Sequence, residues 1–153
     1  MAETTYYEKG LKGEKYIASK IAELGFKVLY VGGCQLYNIT GDRFYSVDLE
    51  PFGFGKTFWV QAKHKEPRTY YPDTGMELWR YSNLIKHEKE SGVPILVLFT
   101  DSSSEVYGEW LKNLPNCLSN YGRQMNTKTG DEMVYWLVEK LRDYRELLAD
   151  MRL

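Results

Sequence analysis

Within the stretch SVDLEPFGFGKTFWVQAKHK, Ser46 to Lys65, three residues have the types and spacing that phosphodiester chemistry needs. Asp48 lies upstream, while Gln61 and Lys63 follow the apolar run Phe58, Trp59 and Val60. Side chains alternate faces along a strand, so Gln61 and Lys63 project to the same side. The "GFG" between two strand-like runs reads as a hairpin turn. With the turn centred on Phe54-Gly55, Asp48 stands opposite Gln61, at the ~4.5–5.5 Å Cβ separation of cross-strand neighbours. A slip of one residue in register would turn these side chains to opposite faces.

Gathered in this way, the three suit metal-assisted cleavage. Asp48 offers a hard anionic oxygen to Mg²⁺ (or Mn²⁺), and Mg²⁺ keeps several waters and takes few protein ligands. Gln61 can add its side-chain carbonyl oxygen, and Ala62 its main-chain carbonyl on the strand edge. Lys63 can orient or help deprotonate the attacking water and stabilise charge on the phosphoryl oxygens. Glu14 is a further candidate. At ~100° per residue, Leu11, Ile17, Ala18 and Ile21 fall within about 60° of its direction, so a carboxylate sits near the centre of an apolar stripe. An unpaired charge there is costly and needs a cation or a polar pocket. Three placements stay open: outer support for a metal's water shell, an ion pair with a lysine such as Lys63, or a position past the sheet edge in solvent. Glu50, on the same face as Asp48, could add a negative charge, although a solvated place near the turn explains it more simply.

These residues need elements to position them. Residues 7–24 read as a helix ending at Gly25, with Leu11, Ile17, Ala18, Ile21 and Leu24 on its apolar face. "FKVLYV" reads as a strand closed by Gly32-Gly33. "RFYSVDLEPF" and "KTFWVQAKHK" are the hairpin, with Pro51 weakening the end of its first strand. Residues 66–75 read as loop and 76–91 as a second helix ended by Gly92. "VPILVLFTD" has the continuous apolar character of a central strand buried on both faces. Residues 105–111 form a further strand and 112–130 are mostly irregular. From Asp131, the spacing of Met133, Leu137, Leu141, Tyr144 and Leu148 predicts a C-terminal helix. The order α-β-β-β-α-β-β-α implies an α/β fold, a mixed central sheet with helices on its faces. With no repeat or linker, residues 1–153 read as a single domain.

Composition narrows the setting. The 153 residues are 43% apolar and 27% charged, with net charge −1, so nucleic-acid binding would have to come from local patches. The two cysteines, Cys34 and Cys117, are far apart in sequence, which points to a reducing, cytoplasmic setting rather than a disulfide scaffold. With only His64 and His87 beside them, a structural zinc site is not expected. The opening residues lack a leader pattern, and no apolar stretch approaches the roughly 20 residues that cross a bilayer. The 13 tyrosines suit half-exposed gripping surfaces, but packing around a small core accounts for most of them.

At this point the chain resembles the PD-(D/E)XK nuclease superfamily. The resemblance rests on "KGLKGEKYIASKIAELGFKV", where Gly10 and Glu14 match a glycine and glutamate common in the first helix. It continues through "VDL" with Asp48, "WVQAKHK" with Gln61 and Lys63, and "SGVPILVLFTD". Residues 8–101 are covered, with the family's α-β-β-β-α-β order. Val47 stands where the family name has proline, and Gln61 where the acid usually stands, a QxK variant with one negative charge fewer. The resemblance implies a restriction-endonuclease-like fold and an Mg²⁺-dependent nuclease in which Glu14, Asp48, Gln61 and Lys63 act together.

Substrate contacts have their own candidates. "KHKEPRTYYP" mixes Lys65 and Arg68 with Tyr70 and Tyr71, and cations neutralise phosphates while aromatic faces stack on bases. A solvated charged loop is the plainer account. Arg80, Asn83 and Lys86 share one face of the second helix, which the resemblance puts beside the substrate. Residues 119–128 are a polar loop that could close over a strand. The first reading is a DNA endonuclease acting on branched intermediates of recombination or repair, akin to a Holliday-junction resolvase. Such enzymes are short homodimers that present two sites to a symmetric junction. The alternatives are a catalytically inactive nuclease fold that only binds nucleic acid or protein, and an unrelated α/β domain in which Glu14 and Lys63 form a structural ion pair.

Overall fold

The computed structural model describes residues 6–32, 36–37, 43–44, 47–119, 124–125 and 130–153. Cys34, the Tyr45-Ser46 part of the hairpin and most of the 119–128 loop lie outside the described residues. Helix α1 spans Tyr6–Glu23, and its stripe residues Ile17, Ala18 and Ile21 are buried as the spacing predicts, while Leu11 near its start is exposed. Strand β1, Lys27–Tyr30, pairs antiparallel with β4, Leu49–Gly53. Between them, β2 (Leu36–Tyr37) and β3 (Arg43–Phe44) pair with each other.

The hairpin adopts the expected register. β4 pairs first with β5, Lys56–Thr57, and then with β6, Trp59–His64, through Phe52↔Thr57 and Leu49↔Val60. Phe54 and Gly55 turn the chain with φ of 54° and 73°, the paired positive values of a type I′ hairpin. Phenylalanine is unusual in that conformation, and its ring is fixed edge-on against Phe26 at 5.1 Å.

After β6 come β7 (Asp73–Glu77) and helix α2 (Leu78–Ser91), which lead into β8 (Ile95–Thr100). β8 lies parallel to β6 and is buried along its whole length. β9 (Val106–Trp110) and β12 (Arg142–Asp143) complete the sheet, in the order β1-β4-β6-β8-β9-β12 with β5 also on β4. Alternate residues of β8 face different cores, which is why its sequence is apolar throughout. Leu96 and Leu98 join Ile17, Ile21, Phe58 and Val60 beneath α1, together with Leu147 and Leu148 of α3 (Tyr144–Leu148). Ile95, Val97 and Phe99 meet Val47, Leu84 and Trp136 on the α2 side.

Two expectations are corrected. Asp73-Thr74-Gly75, predicted as loop, begin β7, which pairs antiparallel with β11, Glu132–Leu137. A short β10, Gln124–Met125, pairs on the far side of β11. β11 itself occupies the start of the predicted C-terminal helix, and only Tyr144–Leu148 is α-helical there. The helical spacing passed over Val134, Tyr135 and Trp136, three consecutive β-forming residues that are all buried. In addition, Leu111–Cys117 forms a 3₁₀ helix where irregular chain is expected.

Candidate active site

The described pairing between β4 and β6 ends at Leu49↔Val60, and the next residue back, Asp48, turns its carboxylate into the opening. Asp48 Oδ2 accepts the Ala62 main-chain N–H at 3.0 Å and Gln61 Nε2 at 2.8 Å. The aspartate side chain thus stands in for the backbone acceptor that a longer β4 would have supplied. A strand residue's N–H and C=O point to the same edge, so the Ala62 carbonyl also faces this opening. Burial pushes Asp48 up from the ordinary carboxylate range, against the pull of the Ala62 N–H, Arg80 and Lys63.

Glu14 arrives from α1. Gly13 lets the helix press on β6, since a Cβ there would lie 2.6 Å from the Cβ of His64. The following residue, Glu14, reaches Asp48. Burial, the Asp48 charge and a hydrogen bond to Asp48 push its carboxyl up to about 7. Glu14 thus meets the aspartate, a neighbour that none of the three placements named for it specified. Tyr30 on β1 stands near enough that the Glu14 charge, after burial, raises its phenol.

Lys63 lies on the same face as Gln61, but its ammonium pairs with Glu77 at 3.3 Å. The structural ion pair proposed between Glu14 and Lys63 is therefore not formed, because Glu77, at the end of β7, takes the lysine. Burial works against charge on Glu77, yet Lys63 and the Glu77 main-chain N–H draw it below its ordinary value. Gln61 is 6% exposed and held at both ends, its Oε1 accepting Arg80 Nη2 at 2.9 Å. Gln61, expected to offer its carbonyl oxygen to a metal, here turns its amide nitrogen to the Asp48 carboxylate and its oxygen to Arg80. Glu50 accepts the Trp59 indole N–H at 2.8 Å, which makes it the cross-strand partner of Trp59 rather than a member of the acidic pair.

The expected substrate contacts divide. Arg80 belongs to the site itself. Asn83 is half-buried and Lys86 exposed further along α2, where Lys86 is 3.9 Å from Glu90. Tyr70 projects into solvent at 89% exposure. Arg68, expected to meet phosphate, donates from Nε and Nη2 to fully buried Asp73 at 2.6 Å and lies 3.7 Å from the centre of the Tyr135 ring. That side chain anchors β7 and β11. Lys65 also leans over Tyr135, at 5.6 Å, and burial and the neighbouring Lys63 lower its ammonium. Glu77 and Tyr30 were missed by sequence reasoning; Glu77 sits where helix is expected, and its strand position gave no local signal.

Among the described residues, no trio of His, Cys, Asp or Glu is placed to hold a metal ion. The donor set here is a pair of carboxylates, Glu14 and Asp48, with the Ala62 carbonyl and the Gln61 amide alongside. It fits a hard cation of the Mg²⁺ type, which takes one or two carboxylates and keeps its waters. Two acids forced together, one of them held near neutrality, are the local strain that a divalent cation relieves. A cavity of about 620 Å³ opens elsewhere, among Ile85, Trp110, Leu147 and Met151, with Glu88 and Asp150 also in its lining.

No protein-family model matches the chain, and no curated protein does. Solved structures do match. The Hjc Holliday junction resolvase of Archaeoglobus fulgidus, an archaeal hyperthermophile, aligns with a TM-score of 0.63 at 11% identity, covering 92% of this chain and 96% of that one. At that identity the likeness is one of fold. It bears out the expected architecture: this chain has the restriction-endonuclease-like α/β fold of the Hjc resolvase, a mixed sheet flanked by helices.

Proposed function

We propose that this chain is a metal-dependent endonuclease that hydrolyses DNA phosphodiester bonds, acting as a homodimer on branched intermediates of recombination or repair. The observation that carries the reading is the meeting of Glu14, Gln61 and Ala62 on the Asp48 carboxylate, with Lys63 on the same face of the hairpin. Asp48, the Ala62 carbonyl and Gln61 hold Mg²⁺ or Mn²⁺, and Glu14 supports the metal's water shell. When bound, the cation supplies Lewis-acid polarisation of the scissile phosphate and a more acidic water. Lys63 orients the attacking water and offsets charge on the phosphoryl oxygens, while Glu77 steadies the lysine at 3.3 Å. Tyr70, Asn83, Lys86 and Lys65 supply stacking and phosphate contacts around it. The preference for four-way junctions draws on the likeness to the Hjc fold, and a twofold junction suits a twofold dimer.

A panel of labelled single strand, duplex, flap and four-way junction, incubated with Mg²⁺ or Mn²⁺, tests this. Junction cleavage that disappears in Asp48→Ala is expected; undiminished cleavage by that variant refutes the assignment of the site. A second reading, a nuclease fold that only binds nucleic acid or protein, is favoured by Gln61 turning its nitrogen to Asp48. It is separated by melting: a true metal site raises the melting temperature as Mg²⁺ is added, because the ion binds only the folded state.

A further inference from the structure

The Gln61 amide is clamped between two groups of opposite hydrogen-bonding character. Asp48 is an acceptor and takes its nitrogen at 2.8 Å, while Arg80 is a donor and takes its oxygen at 2.9 Å. A side-chain amide has one donor end and one acceptor end, and an arginine guanidinium only donates. The observed orientation is the one that satisfies both partners. Reversed, the amide would set oxygen against carboxylate and NH₂ against guanidinium.

A divalent cation at Asp48 inverts this requirement. The only end of Gln61 that can ligate it is the oxygen, and turning that oxygen inward brings the amide nitrogen round to Arg80, donor against donor. The cation and guanidinium also repel each other directly. A glutamate at the same place could offer one oxygen to the ion and the other to Arg80; glutamine cannot serve both. We propose that Gln61 and Arg80 form a cation-gated switch, in which metal loading turns the Gln61 amide and releases Arg80 to grip a DNA phosphate. This rests on the metal-dependent nuclease reading above. Arg80 is one helical turn from Asn83 and two from Lys86, so the freed guanidinium joins a polar row along α2. Metal and DNA then strengthen each other's binding, and by linkage the coupling is reciprocal.

The test is a double-mutant cycle on Mn²⁺ affinity of the full chain, measured by calorimetry without DNA, using Arg80→Met, Gln61→Glu and the pair. Arg80→Met is expected to tighten Mn²⁺ binding about tenfold beside Gln61, the effect of abolishing one charge-assisted hydrogen bond, and clearly less beside Gln61→Glu. Equal effects in both backgrounds would mean that Arg80 acts only through its charge, and would overturn the switch. In the unmutated protein, the Gln61 amide and Arg80 guanidinium NMR signals are expected to move together as Mg²⁺ is added; an unmoved Arg80 signal at saturation overturns it independently. If neither the natural chain nor Gln61→Glu binds Mn²⁺ while both stay folded, the metal site fails and the switch with it. Binding without non-additivity defeats the switch alone.

Discussion

Replacing Glu14 by glutamine removes a charge and keeps the shape, so it isolates the cost of a charge on Glu14, half-buried and beside Asp48. Burial, followed by the Asp48 charge and hydrogen bond, lifts the Glu14 carboxyl from 4.5 to about 7. A group whose native pKa lies above its unfolded value holds its proton more tightly when folded. Stability therefore falls as pH rises from about 4.5 to about 7, and the loss is complete above that window. At ~1.4 kcal/mol per pH unit the ceiling is about 3 kcal/mol, and partial solvent screening of a half-buried group reduces it to ~1.5 kcal/mol. Below pH 5 the natural side chain is protonated and glutamine mimics it. At pH 8 the variant is expected to be the more stable by that amount, about 3–6 °C in melting temperature for a chain of this length. Thermal melts of both proteins at pH 5 and pH 8 measure the difference, and the comparison within each pH cancels the other carboxylates. Mg²⁺ at pH 8 should narrow the gap by neutralising the pair in the natural protein. A constant difference between the two proteins from pH 5 to pH 8 would refute the raised carboxyl of Glu14.

Three further outcomes are expected. Arg68→Met should cost about 3–5 kcal/mol in urea denaturation, because it strips the cation from fully buried Asp73. Lys63→Met should lower junction cleavage about 10²–10³-fold in a single-turnover assay. Its effect on stability should stay below about 1 kcal/mol, since the Lys63–Glu77 pair is 28% and 27% exposed. Tyr70→Ala should weaken DNA binding in a titration by about 1–3 kcal/mol if the ring stacks on a base, and should leave the melting temperature unchanged because the side chain is 89% exposed.

What was legible in the sequence was local. The hairpin register could be read because Phe54-Gly55 specify a two-residue turn and period-two alternation then sets which side chains meet. Glu14 announced itself as a carboxylate on a buried stripe. The pairing of β7 with β11 had no such signal. Asp73 and Gly75 are turn formers by type, and both take their strand role from pairing with β11, distant in sequence. Asp73 is buried because Arg68 binds it and Ser119 donates to it. Gly75 is needed because a Cβ there would collide with the Val134 carbonyl and the Tyr135 ring. The same distance hid Glu77 from the site: its partnership with Lys63 exists only once β7 is in place.

Those long-range partners give the site its character. Lys63 is balanced by Glu77, and Arg80 by the oxygen of Gln61, so both cations are occupied within the protein. Among the described residues the acids have no cation bonded to them: Asp48 is met by amide donors and feels Arg80 and Lys63 only through their charge, and burial and Asp48 push the neighbouring Glu14 up to about 7. A purely structural cluster would gain by bringing one of the nearby cations onto this pair. Here the geometry keeps Lys63 on Glu77 and leaves two acids in contact at an open strand edge. That separation costs stability above pH 7 and is consistent with a carboxylate pair held for a cation from solution, with lysine and arginine kept beside it for the phosphate.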